Sequence, residues 1–90
     1  MLRAITTNQF EKDIKLSKKR GKDLLKIFNI MQLLLNEEKL PLKNRDHSLT
    51  GNYTNRRECH IEPDWLLIYK LACDDTIIFE RTGTHSDLFK

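Results

Sequence analysis

The chain has 90 residues, of which 39% are hydrophobic and 32% are charged, and its net charge is +3 at pH 7. This composition is typical of one small globular domain and excludes a disordered or multidomain chain. No apolar run is long enough to cross a bilayer, and the first residues lack the apolar stretch of a signal peptide. Two cysteines are too few for a disulfide framework, so we expect a reduced, cytoplasmic protein.

Charge is distributed unevenly along the chain. Residues 1–45 hold eleven Lys and Arg against five Asp and Glu, whereas residues 46–90 hold five against eight. Seven of the basic side chains fall within residues 12–26. Such a positive field suits a polyanion or an acidic protein partner, although a solvated helix face would carry the same charges.

The N-terminal half predicts one strand and two helices. Thr7 or Asn8 can cap the first helix, and the pair Arg20-Gly21 predicts a break after it. Apolar side chains in the second helix follow the i, i+3, i+4 spacing of a stripe that faces a core. We therefore expect an αα-hairpin with lysines on its outer side, built from a strand over 2–6, a helix over about 8–18 and a helix over about 22–36.

The C-terminal half predicts an antiparallel meander. A polar connector covers residues 36–52 and is long enough to carry functional side chains. After it, the apolar pattern alternates every second residue, and two tight turns separate strands over about 53–61, 65–71 and 76–82. The order β-α-α-β-β-β predicts a two-layer α+β domain in which the helical hairpin packs on an antiparallel sheet. The other face of that sheet is expected to be partly open.

Several titratable side chains are predicted to meet at one end of this sheet. In a meander the end of the first strand, the start of the second and the end of the third lie at the same end of the sheet. This places together His60, Asp64, Arg81 and then His85. His47 joins them if the connector folds back. Imidazoles act as general acid and base near neutral pH, and a guanidinium stabilises charge on a phosphoryl oxygen. The set predicts RNA cleavage by attack of the 2′-hydroxyl, without a metal.

Other interpretations of these residues stay open at this point. Each histidine could separately be a surface residue, because spacing alone does not prove convergence. His60, Asp64 and His85 could instead bind a metal, although the chain has no dense ligand motif such as HExxH or paired CxxC. Cys59 and His60 are neighbours on a strand and point to opposite faces, which argues against a Cys–His nucleophile pair. Cys59 and Cys73 are therefore interpreted as ordinary free thiols.

Three segments of the C-terminal half form a recognisable pattern, namely DHSLTG at 46–51, RECHIEPDWLLIY at 57–69 and RTGTHSDLF at 81–89. In this order and spacing they resemble the YafQ branch of the RelE/ParE toxin superfamily. Together with the N-terminal strand and helices, the resemblance covers residues 1–90 as a single RelE-like domain. One departure is Tyr53, where relatives often carry tryptophan.

The resemblance implies a type II toxin that acts as a ribosome-dependent endoribonuclease, cutting mRNA in the decoding A site. Its motifs carry the catalytic roles onto this chain without any cofactor. His85 corresponds to the general acid, Arg81 to the residue that holds the scissile phosphate, and His47, His60 and Asp64 to the groups that help to activate the 2′-hydroxyl.

The resemblance also implies surfaces for RNA. The lysine-rich region would dock on ribosomal RNA through phosphate contacts, and two aromatic rings, Trp65 and Phe89, could stack on a base. Trp65 could equally be a core residue. The predicted RNA-binding residues are Lys15, Lys18, Lys19, Arg57, Trp65 and Phe89.

A cognate antitoxin is the protein partner that the resemblance implies, acidic where it covers the basic surface, with operator DNA bound only through the antitoxin complex. Two rivals act by binding alone. One is a ParE-type toxin that poisons DNA gyrase, which has no need of three histidines at one sheet end. The other is a module that binds the ribosome or RNA without cutting, for which replacing His85 would leave translation arrest intact.

Overall fold

The computed structural model describes residues 1–89. Two 3-10 turns lie in the connector, at 42–44 and 51–53. Within the described residues, no helix is long and apolar enough to cross a membrane. The strands and longer helices are β1 (Arg3–Thr6), α1 (Asn8–Lys19), α2 (Leu24–Leu35), β2 (His47–Ser48), β3 (Arg57–Glu62), β4 (Trp65–Ala72), β5 (Thr76–Gly83) and α3 (His85–Leu88).

The strands form one five-stranded sheet in the order β1-β5-β4-β3-β2. The predicted two-layer α+β class and the β3-β4-β5 meander are confirmed. The expectation of a wholly antiparallel sheet is wrong, because β1 pairs parallel with β5. After β1, helices α1 and α2 and the connector carry the chain to the opposite edge of the sheet. The meander then crosses back, so that β5 lies beside β1 and runs in the same direction as β1.

The predicted helices are confirmed to within a few residues, and their starts are set by side-chain caps. Thr7 accepts a hydrogen bond from the backbone N–H of Phe10 at 3.0 Å, and Asp23 accepts one from Leu25 at 3.0 Å. Between the helices Gly21 has a φ of 82°, a left-handed conformation that glycine adopts without strain. The predicted break at this position is therefore real.

The largest error in the predicted elements lies between residues 47 and 57. The strand expected over 53–61 begins only at Arg57, because residues 51–53 form a 3-10 turn and Asn55 adopts a φ of 70°. Strand β2 and helix α3 were not predicted. They have two and four residues, too few for a periodic pattern.

Two apolar clusters lie on the two faces of the sheet. The larger lies under α1 and α2, and it includes Phe10, Ile27, Trp65, Leu67 and Phe79. The smaller lies on the opposite face, where Leu66, Ile68 and Leu88 are buried and Leu49 and Tyr53 pack against them. The smaller cluster therefore fastens both α3 and part of the connector to the face that the helical hairpin leaves open.

Candidate active site

His85 and Asp64 form a short contact at the site. His85 is the first residue of α3, and Asp64 lies in the turn between β3 and β4. The Nδ1 atom of His85 lies 2.6 Å from Oδ1 of Asp64, and the backbone N–H of His85 donates to the same oxygen at 2.9 Å. These two hydrogen bonds hold the pKa of Asp64 below its ordinary value. With Nδ1 occupied, the imidazole presents Nε2 to a reactant.

Helix α3 is held in place by its own N-terminal cap. Thr84 accepts a hydrogen bond from the backbone N–H of Asp87, and the Asp87 carboxylate accepts one from the N–H of Thr84. Asp87 is also paired with Arg20 at 2.7 Å, so the end of α1 supports α3. The Arg20 contact and the Thr84 N–H bond together lower the pKa of Asp87. The catalytic candidate at the start of α3 is thus fixed from both sides.

The three histidines converge in a row, as predicted. The ring centroid of His60 lies 5.7 Å from that of His85 and 6.4 Å from that of His47. The predicted return of the connector therefore takes place, with His47 in β2 at the sheet edge. A three-membered imidazole row can supply both a proton donor and a proton acceptor to one substrate.

Glu58 is a member of the site that was not predicted from the sequence. Its Oε1 atom lies 3.3 Å from Nε2 of His60 and 3.6 Å from Nε2 of His47. The residue is only 4% exposed, so this carboxylate is buried between the two imidazoles. Alternation along a strand places Glu58 and His60 on the same face of β3, and this pattern could have identified it.

A polar cluster beside the site anchors β2. Asp46 accepts hydrogen bonds from the hydroxyl of Tyr69 at 2.5 Å and from Nε of Arg57 at 3.2 Å. Burial, with Asp46 adding to it, raises the pKa of Tyr69 well above its ordinary value. Arg57, predicted to bind RNA, also donates to Ser48 at 3.0 Å. Its guanidinium is therefore engaged in holding the strand that carries His47.

Arg81 lies at the site end of β5, and its guanidinium is held by α1. Nε of Arg81 donates to Oδ2 of Asp13 at 2.8 Å, and Nη2 lies 3.4 Å from Oδ1. Asp13 is 6% exposed and also accepts from the backbone N–H of Thr82 at 3.1 Å. The hydrogen bond to Asp13 raises the pKa of Arg81. The pairing of Asp13 with Arg81 could not be predicted from the sequence, because a contact between α1 and β5 leaves no local pattern in it.

The predicted RNA-binding residues fall in different environments. Trp65 is 1% exposed within the larger core cluster, so its assignment to base stacking is wrong and the core interpretation is confirmed. Phe89 is 40% exposed. Its ring packs edge-on against Tyr53, with centroids 5.4 Å apart, and lies 6.5 Å from the ring of His85. Only Phe89 of the two aromatic rings can therefore receive a base.

Lys15, Lys18 and Lys19 are exposed on α1, and none of them forms an ion pair within residues 1–89. The next lysines along the chain differ. Lys22 and Lys26 both pair with Glu62, at 2.7 and 2.9 Å. The positive field of the lysine-rich region therefore comes chiefly from α1.

Metal binding was the main chemical alternative. Across residues 1–89, no three His, Cys, Asp or Glu side chains are arranged to hold a metal ion. The set of His60, Asp64 and His85 accordingly forms no ligand cage in this conformation, since Asp64 is turned to Nδ1 of His85.

The family assignment follows from a comparison of the whole chain with known families. The family described as "Bacterial toxin of type II toxin-antitoxin system, YafQ" matches residues 2–90. The chain belongs to the YafQ toxin family. The resemblance seen in the three C-terminal segments is thereby confirmed over nearly the full length.

Individual YafQ proteins are similar to this chain in both sequence and structure. The mRNA interferase toxin YafQ of Escherichia coli K12 is 49% identical over 84 residues, which are 92% of this chain and 90% of that protein. The crystal structure of YafQ from E. coli BL21(DE3) is 44% identical and superposes with a TM-score of 0.93 over 100% of both chains. YafQ in the E. coli DinJ-YafQ complex is 45% identical, with a TM-score of 0.91 and the same coverage.

Proposed function

We propose that this protein is an mRNA interferase, a toxin that arrests translation by cutting mRNA in the ribosomal A site. The observation that carries the proposal is the row of three imidazoles, in which His85 is oriented by Asp64 at 2.6 Å and His60 lies 5.7 Å away. The name of the E. coli K12 relative, mRNA interferase toxin YafQ, supports the same activity. The site of action would be the cytoplasm, where ribosomes and mRNA meet.

The chemistry is an internal transesterification. The 2′-oxygen attacks the adjacent phosphorus, the bond from phosphorus to the 5′-oxygen breaks, and a 2′,3′-cyclic phosphate and a 5′-hydroxyl result. His60 takes up the proton of the 2′-hydroxyl, and the Glu58 carboxylate, which it shares with His47, stabilises the imidazolium that forms. His85 donates a proton from Nε2 to the leaving 5′-oxygen. One proton leaves the substrate and one enters it, so no further reactant is consumed.

Asp64 and Arg81 have different parts in this scheme. Asp64 contacts His85 rather than the proposed base, so it orients the general acid instead of activating the nucleophile. Asp13 binds Nε and Nη2 of Arg81, which leaves Nη1 to reach the scissile phosphate. A guanidinium held in this way stabilises developing phosphoryl charge without having to reorganise.

The surfaces around the site fit a ribosome-bound substrate. Lys15, Lys18 and Lys19 would contact ribosomal RNA phosphates, which adds affinity without sequence choice. The exposed ring of Phe89, beside His85, would stack on an mRNA base. A cognate antitoxin that is acidic where it covers these cations would keep the toxin inactive. A partner of this kind is supported by the crystal structure of the E. coli DinJ-YafQ toxin-antitoxin complex.

The test is primer extension on an mRNA translated in vitro with the wild type, with His85→Ala, and with Lys70→Gln as a matched control outside the site. We expect cuts in register with codons for the wild type and the control, none for His85→Ala, and none when ribosomes are omitted. A parallel reaction uses toxin that has been treated with EDTA and desalted before it is added, so that the ribosomes keep their Mg²⁺, and unchanged cutting is expected. Blocked translation without cuts would refute catalysis and favour a toxin that acts by binding, whereas cuts without ribosomes would indicate a free ribonuclease.

A further inference from the structure

A cleft of about 500 Å³ opens next to the imidazole row, between the connector and the turn that joins β3 to β4. His60, Glu62 and His85 lie in one wall, where the Glu62 carboxylate is already paired with Lys22 and Lys26, and Lys43, Asn44 and Arg45 lie in the other. The second wall has no role in the mechanism derived above. Because His60 and His85 line the cleft, it is directly accessible to a strand whose phosphate lies between them.

The backbone of Arg45 is fixed at the border of the cleft. Arg45 has φ 47° and ψ 46°, a left-handed conformation that a non-glycine residue adopts only when its surroundings enforce it. Its N–H donates to the carbonyl of Leu42 at 3.0 Å, and its own carbonyl lies 2.6 Å from Nδ1 of His47. The contact that orients a catalytic imidazole thus also fixes the backbone from which this guanidinium extends.

The two cations of the cleft have no carboxylate partner within the described residues 1–89. This distinguishes Lys43 and Arg45 from the neighbouring Arg57 and Arg81, which are paired with Asp46 and Asp13. Two uncompensated positive charges at a concave surface attract an anion. A guanidinium matches the geometry of a phosphate in particular.

Asn44 gives an independent indication that the cleft accepts a polar ligand. The side chain lies in the same wall and is only 4% exposed. Its Nδ2 atom donates to the backbone carbonyl of His60 at 2.7 Å, whereas its buried Oδ1 atom has no hydrogen-bond partner among the described residues. A buried acceptor without a donor is costly. An N–H or O–H group of a nucleotide bound in the cleft is a donor of the required kind.

We propose that Arg45, assisted by Lys43, binds a backbone phosphate of the RNA next to the scissile one, so that the strand runs through this cleft past His60 and His85. The polymer is RNA because of the proposed function, on which this inference rests. The contact is to the backbone, so it sets the register of the strand without reading its bases.

The test uses the full chain and a fluorescent single-stranded 2′-O-methyl RNA, in which the blocked 2′-oxygen prevents cleavage. Binding is measured by anisotropy over a range of salt for the wild type, Arg45→Gln, and Arg3→Gln as a control that removes an exposed arginine from the far end of the sheet. We expect about tenfold weaker binding for Arg45→Gln and none of this loss for Arg3→Gln. The slope of log affinity against log salt should fall in magnitude by about 0.7 for Arg45→Gln alone.

A second series places one uncharged methylphosphonate linkage at successive positions of the same RNA. One linkage should weaken binding by the wild type and leave Arg45→Gln unaffected. The inference is overturned if the wild type does not bind the RNA, if Arg45→Gln binds as Arg3→Gln does, or if no linkage distinguishes the variants. The primer-extension test is independent of this result. If the wild type cuts mRNA normally but Arg45→Gln binds RNA as well as the wild type does, only the phosphate site is refuted. If Arg45→Gln loses the phosphate contact but the wild type does not cut mRNA, only the proposed function is refuted.

Discussion

Replacing Asp13 is expected to destabilise the fold and disable the site together. The carboxylate is 6% exposed, and it accepts hydrogen bonds from the Arg81 guanidinium and the backbone N–H of Thr82. In Asp13→Asn one acceptor remains for Thr82, but the cation loses its charged partner. In Asp13→Ala the donors of Arg81 and Thr82 lose their acceptor, and so does the side-chain amide of Gln9, which also donates to this carboxylate at 3.1 Å.

The magnitude follows from the burial of the pair. Removing one partner of a fully buried ion pair costs about 3–5 kcal/mol. The Arg81 side chain is 27% exposed, so water compensates part of the loss and we expect about 2 kcal/mol for Asp13→Asn and about 3 kcal/mol for Asp13→Ala. For a domain of this size, 2 kcal/mol corresponds to a fall in Tm of about 8–16 °C.

The assay is urea unfolding followed by intrinsic fluorescence. Trp65 is the single tryptophan and lies in the core at 1% exposure, so its emission reports global unfolding. Glu11→Gln is the matched control, because it removes an acid from an exposed position of the same helix. This control is expected to change the free energy of unfolding by less than about 0.5 kcal/mol.

A double substitution decides whether the cost comes from the isolated charge. If it does, Asp13→Asn combined with Arg81→Gln will be more stable than Asp13→Asn alone, since the second change removes the unpaired guanidinium. A loss below about 0.5 kcal/mol in Asp13→Asn, or strict additivity of the two changes, would refute this account of the pair.

Three further predictions concern the thiols, α3 and pH. Burial raises the pKa of Cys59 to about 12. A thiol reagent at pH 7.5 should therefore label only the exposed Cys73 in the folded protein and both cysteines in urea. Rapid labelling of both thiols in the folded state would contradict the burial of Cys59. In Gly83→Ala the new Cβ would lie 2.9 Å from Oδ2 of Asp87, so the Asp87 side chain must shift. We expect a weakened α3 cap, a lower urea midpoint and, where the variant is still folded, at least tenfold slower cutting. Unaltered cutting would count against the role of α3. The pKa of Asp87 is lower in the folded protein than in the unfolded chain. Its ionised carboxylate therefore stabilises the fold fully above about pH 4, and this contribution is lost as pH falls through the folded pKa. Urea midpoints measured from pH 6 to pH 2 should accordingly decline less steeply for Asp87→Asn than for the wild type.

The fold was predictable from the sequence wherever a pattern extended over a full element. The apolar stripe of α2 and the alternation along β4 and β5 repeat often enough to determine both type and limits. The parallel pairing of β1 with β5 has no such signal, because strand direction depends on how the chain returns across the sheet. Strand β2 consists of two residues held by the Arg57 and Tyr69 contacts with Asp46, which are tertiary interactions.

The site was predictable to the extent that the meander brings strand ends together. This geometry placed His60, Asp64 and His85 correctly. Glu58 escaped notice because a single carboxylate in a strand resembles a solvent-facing residue until its burial is known. Asp13 lies 68 residues before Arg81, and no spacing rule connects two positions that meet only in the folded chain.

The pairing of β1 with β5 has a consequence for the order in which the molecule assembles during synthesis. The hydroxyl of Thr7 donates to the carbonyl of Glu80, 73 residues later, so the first strand must wait for the last one before it can join the sheet. Loop-closure entropy disfavours such distant contacts until the local β3-β4-β5 meander has formed. His85 follows β5 in the chain. A nascent polypeptide therefore has no complete imidazole row until β5 and α3 have been synthesised and have joined the sheet.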